Sequence, residues 1–466
     1  MIMMCRLSQQ TVGDILTRGR IYEVGGAVRD RFLTPDLKVK DRDYLVTGIP
    51  YDELTTILRH HGRVDLVGRS FGVIKFTQLR NDQAHTFDIT LPRREHSTGT
   101  GHKDFAVDFD PNLSVEDDLT RRDFTINAMA IELGSDRLVD PLDGKRDLQN
   151  KCLRMTSPES FKEDPLRMLR AIQFAARFEF DIEPDTLAAL KADAELIGTI
   201  SAERISEELV KLLTLAERPS RGFHLMREAG LLGAILPELE VGVGVEQPGG
   251  FHAYDVFEHT LRSVDACDRR LRLRLAALFH DIDKPRSKRL VDDGATFYGH
   301  EVMGATTARE IMTRLRFSNN LIDEVATLVE RHMFTTAVTD KGLRRLVRKV
   351  GVDLIFDLLD LRRADVVAQG MGGSTADVDE FEQAIREELS RKPPFGYSDL
   401  ALDGHDIMRL FGIAPGPRVG EILEHLMEQV LDDPASNTKE VLESLARKYY
   451  QTRMENSAHD SEESVL

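Results

Sequence analysis

Cysteine is scarce in this sequence, and it has no long apolar run. The 466 residues include three cysteines, Cys5, Cys152 and Cys267, which lie too far apart to indicate a disulfide framework or a zinc knuckle. No apolar run approaches the roughly 18 residues of a membrane span, and the first ten residues are too soon polar for a secretory signal. We therefore predict a cytoplasmic protein with reduced cysteines, no disulfide partner and no membrane partner.

Basic residues are outnumbered by acidic ones. The sequence has 62 lysines and arginines and 79 aspartates and glutamates, which gives a formal net charge of −17. This excess argues against a broad basic surface, so any nucleic-acid contact should be local and depend on a few arginines. The length is sufficient for roughly three domains.

Two patterns divide the chain. Up to about residue 145, short apolar runs such as RIYEVGG and FGVIKFTQL alternate with turns and predict the strands of a mixed α/β domain. From about residue 157 apolar residues recur at helical spacing, as in SAERISEELVKLLT, and nearly everything that follows predicts helix. The segments EVGVGVEQPGGF (240–251) and SRKPPFGYS (390–398) predict linkers.

Paired carboxylates precede one predicted strand. KVKDRDYLVTG places Asp41 and Asp43 on one strand face and Arg42 on the other, because alternate strand side chains share a face. HTFDITL places Asp88 on the polar face of another strand. Three carboxylates on neighbouring strands supply oxygen ligands for two Mg2+ ions about 4 Å apart, as phosphoryl transfer needs. For the Asp-x-Asp pair alone, a solvated acidic strand end is the alternative.

A glycine pair precedes these carboxylates. IYEVGGAVRD leads from an apolar strand through Gly25 and Gly26 into a helix that carries Arg29. Such a pair lets backbone N–H groups approach a phosphate beside the positive end of the helix dipole, although it also occurs in ordinary tight turns. We predict that all three residues bind nucleotide.

Four segments in this order resemble the class II tRNA nucleotidyltransferases and bacterial poly(A) polymerases over essentially the whole chain: GGAVRD, KDRDYLVTG, EDDLTRRDFTINAMA and EDPLRMLRAIQFAARF. The resemblance implies an α+β fold. Its head is related to polymerase β, with a mixed sheet and helices, and an all-α neck, a body with an HD domain and a tail that holds tRNA follow it. We assign these parts to 1–145, 146–240, 250–372 and 373–455, with a disordered end at 456–466.

The resemblance also implies residue functions in the head. Asp41 and Asp43 become metal ligands and Asp88 the third carboxylate. Arg122 would contact the triphosphate or ribose, while Asp123 and Asn127 would shape the pocket. From the residues alone, Thr120 and Asp123 could instead form a capping box at a helix start.

EDPLRMLRAIQF is the segment that would choose the base. The resemblance makes Asp164 and Arg167 a protein template that pairs with the Watson–Crick edge of CTP or ATP, with Arg170 as a further nucleotide-binding residue. The alternative is an amphipathic helix in which Asp164 is an N-cap. Gln173 departs from the family pattern, since many relatives carry arginine there, and this puts one nucleotide contact in doubt.

A second candidate site lies further along the chain. Its imidazoles and carboxylates resemble the HD domain of metal-dependent phosphohydrolases, which some members of this family carry: His259, His280, Asp281, His300, His332 and Asp365. These ligand types suit Ni2+ or Mn2+, or Mg2+ with more water. Asp283 stands where relatives usually have glycine. The alternative is an HD fold that survives only as a helical scaffold for RNA.

We predict template-independent addition of C, C and A from CTP and ATP to the tRNA 3′ end, by two-metal phosphoryl transfer that releases pyrophosphate. The alternatives are an A-adding or CC-adding specialist, a poly(A) polymerase, an HD phosphohydrolase and a noncatalytic RNA-binding protein. The polar, glycine-containing segment 93–112 predicts a mobile loop beside Asp88. In the family such a loop accompanies the switch to ATP and tends to be missing from CC-adding specialists, so it favours full CCA addition.

Overall fold

The chain forms two compact units. The computed structural model describes residues 6–34, 42–65, 73–80, 83–97, 105–250, 252–291 and 294–463. The first unit comprises Met1–Val241 and Arg314–Phe317, and the second comprises Gly242–Thr313 and Ser318–Leu466. No helix in these described ranges is long and apolar enough to cross a membrane. Cys152 and Cys267 are free thiols, and Cys5 lies outside the described residues.

The first unit contains eleven of the strands and twelve of the helices that the structure describes. The strands are β1 (Arg20–Val24), β2 (Asp43–Thr47), β3 (Arg63–Asp65), β4 (Val73–Arg80), β5 (Gln83–Thr90), β6 (Arg93–Ser97), β7 (Phe105–Phe109), β8 (Ala130–Glu132), β9 (Leu138–Val139), β10 (Cys152–Leu153) and β11 (Asp181–Ile182). The helices are α1 (Gln9–Leu16), α2 (Gly26–Leu33), α3 (Tyr51–Arg59), α4 (Val115–Thr120), α5 (Gly144–Gln149), α6 (Ser160–Glu163), α7 (Leu166–Phe178), α8 (Pro184–Ala192), α9 (Ala202–Leu215), α10 (Ser220–Glu228), α11 (Leu231–Ile235) and α12 (Pro237–Glu240).

A mixed sheet of seven strands organises the first unit, in the order β3-β4-β5-β2-β1-β8-β9. β2 pairs antiparallel with β1 and parallel with β5, and the other neighbours are antiparallel. The sheet and the helices around it confirm the predicted α+β class. Two further pairs, β6 with β7 and β10 with β11, lie outside this sheet.

The two faces of the sheet bury different clusters. On one face Ile21, Tyr44 and Val46 pack with apolar residues of α1 and α3. On the other face Val24 and Leu45 pack with α4. Since side chains alternate along β2, Asp43 shares the face of Leu45, whereas Arg42 shares the face of Tyr44.

The second unit is mainly helical. Its elements are α13 (Val256–Ala266), α14 (Leu271–Phe279), α15 (Lys284–Ser287), β12 (Arg289–Val291), β13 (Gly294–Thr296), α16 (His300–Arg314), α17 (Asn319–Arg331), α18 (Asp340–Val350), α19 (Ile355–Ala368), α20 (Ala376–Ser390), α21 (Gly404–Phe411), α22 (Pro417–Asp432) and α23 (Lys439–Glu463). Arg344 of α18 is buried, and it donates to Glu388 Oε1 of α20 at 2.8 Å and to the Leu431 carbonyl of α22 at 2.6 Å. This arginine therefore ties three helices together.

Two segments differ from the expectation. Within 93–112, predicted as a loop, β6 and β7 form an antiparallel hairpin, and residues 98–104 lie outside the described part. The aromatic and β-branched residues of FAVDF are typical of a strand, although the segment does not alternate strictly between apolar and polar residues. Within 456–466, predicted as disordered, α23 continues to Glu463, because an established helix gains one hydrogen bond for each residue added. Residues 464–466 lie outside the described part.

Candidate active site

At the glycine turn between β1 and α2, the backbone lies close to the guanidinium of Arg122. Gly25 has a φ of +71°, and a Cβ at this position would lie 2.9 Å from Nη1 of Arg122. A larger residue would therefore meet backbone strain, and the guanidinium of Arg122 would have to shift. Gly26 is the first residue of α2, so its N–H belongs to the positive end of the helix.

Two of the three predicted carboxylates face each other on adjacent strands. The parallel register of β2 and β5 pairs Asp43 with Asp88, so both side chains lie on the same face of the sheet. Asp43 is exposed and Asp88 is half-buried. Both line a cavity of about 340 Å³. Asp41, predicted as the other metal ligand, lies outside the described residues.

An adjoining cavity of about 330 Å³ contains every predicted nucleotide-binding residue. Asp43 and Arg122 line both cavities, so the two adjoin at these side chains. The lining of this nucleotide cavity is Gly25, Gly26, Arg29, Asp43, Arg122, Asp123, Asn127, Asp164, Arg167, Arg170 and Phe174. Phe174 was not predicted to belong to the site, although helical spacing places it on the same side of α7 as Arg167 and Arg170.

A chain of hydrogen bonds braces one wall of this cavity. Arg29 donates to Asn127 Oδ1 at 2.8 Å, and Asn127 donates to Asp123 Oδ1 at 3.0 Å. Arg170 donates to Asp123 Oδ2 at 2.7 Å. Burial raises the pKa of the Asp123 carboxyl, but Arg170 and Asn127 outweigh it and lower that pKa below its ordinary value. Asp123 is therefore ionised and holds both donors in place.

The alternative capping function of Asp123 is wrong. The capping box in this region joins Ser114 and Asp117 at the start of α4. Thr120 is the last residue of that helix, and its hydroxyl donates to the Asp117 carbonyl at 3.1 Å. Asp123 thus belongs to the cavity wall and not to a helix start.

The predicted template residues lie where α7 begins. Asp164 accepts the N–H of Leu166 at 3.2 Å, and it also pairs with Nη2 of Arg204 in α9 at 3.0 Å. Arg167 donates to Ser160 Oγ at 2.9 Å and to the Arg121 carbonyl at 3.1 Å. Asp164 therefore both supports the helix start and lines the cavity, so the two interpretations are compatible.

The contacts of Arg204 and Gln173 could not be predicted from the sequence. Arg204 reaches Asp164 because α9 packs on α7, and no local pattern predicted that packing. Gln173 is buried and does not line the cavity, and its Nε2 donates no hydrogen bond within the described part of the chain. Gln173 therefore supplies no group to this cavity.

The second unit brings all six residues of the predicted metal site together in its interior. Nε2 of His259 lies 3.3 Å from Nε2 of His280 and 3.1 Å from Oδ1 of Asp365. Nε2 of His300 lies 3.2 Å from Nε2 of His332. Asp281 lies between the two groups, 3.2 Å from His280 through Oδ2 and 3.3 Å from His300 through Oδ1. His252, which was not predicted to belong to this site, groups with His259 and Asp365.

Hydrogen bonds orient three of these imidazoles. The Nδ1 atoms of His280, His300 and His332 each lie 2.7 Å from a backbone carbonyl of the preceding turn. Donation from Nδ1 leaves the lone pair on Nε2, which points into the cluster. This cluster could hold a metal ion. Asp283 instead accepts hydrogen bonds from Arg286 and Thr307 and belongs to none of the metal-ligand groups found in the described residues.

The surroundings shift the pKa values of two of these imidazoles in opposite directions. Burial lowers the pKa of His259, but its hydrogen bonds to Asp281 and Asp365 raise it to about 9. Burial and the neighbouring His280 lower the pKa of His332 to about 3. His332 is therefore neutral at pH 7 and offers a lone pair, whereas a cation bound by His259 would displace its proton.

Comparisons with known proteins agree with this architecture. The family model of the poly A polymerase head domain matches residues 21–154, and that of tRNA nucleotidyltransferase domain 2 matches residues 300–446. An A-adding tRNA nucleotidyltransferase from Deinococcus radiodurans is 39% identical over 353 residues, which cover 71% of this chain and 78% of that protein. A multifunctional CCA protein from Actinobacillus pleuropneumoniae is 36% identical over 358 residues, which cover 74% and 81%.

Solved structures share the fold. The Bacillus stearothermophilus CCA-adding enzyme in complex with CTP matches with a TM-score of 0.71 and 24% identity over 96% of this chain and 97% of that one. The Thermotoga maritima CCA-adding enzyme complexed with tRNA matches with a TM-score of 0.53 and 22% identity over 94% and 93%. Because relatives 39% and 36% identical match over more than two thirds of their length, the chain belongs to the class II tRNA nucleotidyltransferases, the family of the CCA-adding enzymes. The predicted family and the prediction of an enzyme are confirmed; the HD domain stays a prediction.

Proposed function

We propose that this enzyme adds C, C and A from CTP and ATP to the 3′ end of tRNA in the cytoplasm, without a nucleic-acid template. One observation carries the proposal: every predicted nucleotide-binding residue lines one cavity, and this cavity meets Asp43 opposite Asp88. Two relatives in the family, named above, support the tRNA substrate. The proposed parts are a head at 1–145, a neck at 146–240, an HD domain at 250–372 and a tRNA-binding tail at 373–455.

The carboxylates fit a pair of Mg2+ ions. Asp43 and Asp88 share one sheet face in register, and carboxylate oxygens are the ligands that Mg2+ prefers. Asp41, two residues before Asp43, is the further proposed ligand. When bound, the ions activate the attacking hydroxyl and stabilise the leaving pyrophosphate.

The arginines and the glycine turn hold the nucleotide. Arg122 lies over Gly25, so its guanidinium and the backbone N–H groups of the turn converge where a triphosphate would bind beside Asp43. Asp164 and Arg167 offer an acceptor and a donor to the base edge. Because Arg167 is fixed by Ser160 and the Arg121 carbonyl, it presents its remaining donors in a defined direction.

Sequencing of reaction products tests this function. The acceptor is a tRNA that ends before CCA, supplied with CTP alone, ATP alone or both. We expect two added C residues with CTP alone and CCA with both nucleotides. A second candidate, A addition only, is favoured by the 39% identity to an A-adding enzyme. That activity would extend only a tRNA that already ends in CC. A run of A residues with ATP alone would indicate a poly(A) polymerase, and no extension of any acceptor would refute the proposal.

We also propose that the buried cluster of the second unit binds Ni2+, Mn2+ or Mg2+ and hydrolyses phosphoesters. The observation that supports this is the convergence of imidazole nitrogens on both oxygens of Asp281, which is buried at the centre. Burying such a charge is costly unless it is paired or coordinates a metal. Lys284 Nζ pairs with Oδ2 of Asp281 at 2.6 Å and offsets part of this cost, and a cation bound among the imidazoles would offset more of it. The alternative, a scaffold for RNA, does not need inward-facing Nε2 lone pairs.

Replacing His280 and Asp281 together by alanine should separate the two activities. CTP and ATP addition should stay within about twofold of the unchanged enzyme, because the two sites lie in different units and independent sites act additively. Hydrolysis of p-nitrophenyl phosphate and 2′,3′-cyclic AMP with Ni2+ should fall about a hundredfold.

The matched control is Asp283→Asn, a buried acid of the same segment that is not part of the cluster. It should retain the hydrolysis. Equal hydrolysis by the double variant would show that the cluster is not the hydrolytic site, and loss of nucleotide addition in a folded double variant would show that the units are not independent.

A further inference from the structure

A buried carboxylate lies beside the two arginines that follow α4. Asp118 is 1% exposed, and it borders the cavity that Asp43 and Asp88 also line. Its Oδ1 accepts a hydrogen bond from Nε of Arg121 at 3.0 Å, and its Oδ2 accepts one from Nη2 of Arg122 at 3.3 Å. Each oxygen is therefore engaged by a guanidinium, which offsets the cost of burying this charge.

The contact with Asp118 leaves another part of the Arg122 guanidinium at the glycine turn. Its Nη1 lies 2.9 Å from the position that a Cβ of Gly25 would take, and Arg122 lines both cavities of the site. Its Nε is buried and donates no hydrogen bond within the described residues. Asp118 thus supplies the hydrogen bond that orients this guanidinium, and the orientation decides how the arginine faces a triphosphate bound at the turn.

A role in helix stability does not account for the acid. Ion pairs three or four residues apart stabilise an exposed helix slightly, but α4 has only six residues and is already capped by Ser114 and Asp117. Burying a carboxylate costs more than such a pair returns. The position of Asp118 is therefore better explained by the guanidinium groups that it orients at the site.

We propose that Asp118 is a positioning residue for triphosphate recognition: it holds the Arg122 guanidinium in the orientation that faces the phosphates at the glycine turn. This inference rests on the proposed nucleotide-binding function of the cavity. It assigns Asp118 no contact with substrate or metal. Its effect is exerted through Arg122 and concerns the phosphates of the nucleotide, not its base.

Equilibrium dialysis with labelled pyrophosphate, CTP and CMP separates phosphate recognition from base recognition without relying on activity. Asp118→Asn keeps the shape of the side chain and removes its charge. We expect its Kd for pyrophosphate and for CTP to rise about tenfold, as for a weakened charge-assisted hydrogen bond. The Kd for CMP, which has the base but lacks the β- and γ-phosphates, should stay within about twofold. A purely structural role would weaken the binding of all three.

Two further variants test the route through Arg122. Arg122→Gln should itself weaken pyrophosphate binding about tenfold or more, because it removes the proposed phosphate contact. Adding Asp118→Asn to it should change the Kd by less than about twofold, since the group that Asp118 orients is gone. Asp118→Glu keeps the buried charge and displaces the carboxylate by one methylene, so it should weaken pyrophosphate binding in the same direction as Asp118→Asn.

The matched control is Asp117→Asn, an exposed acid of the same helix that caps α4 and lines neither cavity. It should lower the melting temperature slightly and leave pyrophosphate binding unchanged. Melting curves are recorded for every variant, and if Asp118→Asn does not fold, Asp118→Glu decides the question. Binding is measured in Mg2+ and again in EDTA, because an effect exerted through an arginine should persist without metal.

Three results would overturn the inference. They are a folded Asp118→Asn protein with unchanged pyrophosphate binding, a CMP affinity that falls as much as that for pyrophosphate, and a loss seen in Mg2+ but not in EDTA. Arg122→Gln distinguishes these from a failure of the proposed function. Normal pyrophosphate binding by Arg122→Gln would show that the triphosphate does not bind at this turn. Weak binding by Arg122→Gln together with normal binding by Asp118→Asn would contradict only the function of Asp118.

Discussion

Replacement of Asp43 by alanine is expected to abolish nucleotide addition while the first unit stays folded. The side chain lies at an exposed strand end and faces Asp88 across the parallel β2–β5 pair, so its loss removes a metal ligand without opening a cavity in the core. Loss of two-metal activation should raise the barrier by about 4 kcal/mol or more, which is roughly a thousandfold in rate. The same result is expected for Asp41→Ala.

The measurement is the single-turnover rate of CTP addition to a tRNA that ends before CCA, with a melting curve for each variant. Asp65→Ala is the matched control, because Asp65 lies on β3 of the same sheet and lines neither cavity. It should react at the normal rate. Near-normal turnover of Asp43→Ala would show that Asp43 is not a ligand of the catalytic metal ions.

Local periodicity was sufficient to predict the part of the site that lies on strands. The two-residue period of a strand placed Asp43 on the face opposite Arg42 and Asp88 on the polar face of its own strand, and the register of β2 with β5 brings the two side chains to the same face of the sheet. Gly25 was predictable for a similar reason, since a glycine pair between a strand and a helix signals an unusual backbone conformation. The order of these motifs along the chain, and not any one of them, pointed to the family.

Such local patterns could not predict contacts between residues that are distant in the sequence. Arg204 pairs with Asp164 across 40 residues of sequence, and His252 joins His259 and Asp365 only through the packing of the second unit. The hairpin of β6 and β7 was missed because glycines and charges obscured the strand period. The buried ion pair between Arg42 and Glu23 of β1 is a further example, because alternation predicts the face of a side chain but not the acid that it contacts there.

Replacement of Arg167 by alanine is expected to relax the choice of base. If Arg167 and Asp164 together form the template, the loss of Arg167 removes hydrogen bonds to the base. The enzyme should then bind the bases of CTP and ATP no better than those of UTP and GTP. A site built around base hydrogen bonds rejects analogues strongly, so the ratio of kcat/KM for UTP or GTP to that for CTP or ATP should rise by on the order of a thousandfold. Metal binding should be unchanged, since Arg167 does not line the cavity of Asp88.

The competing explanation is that Arg167 only braces the start of α7, through Ser160, Glu163 and the Arg121 carbonyl. Glu163→Ala is the matched control, because it removes the exposed partner of Arg167 at 3.2 Å without removing a group that lines the cavity. We expect this variant to keep its base ratios. Relative kcat/KM is measured for all four nucleotides on one tRNA acceptor, beside a melting curve. If Arg167→Ala lowers the melting temperature but leaves the ratios unchanged, then EDPLRMLR is only a helix start, and base selection depends on other residues of the cavity.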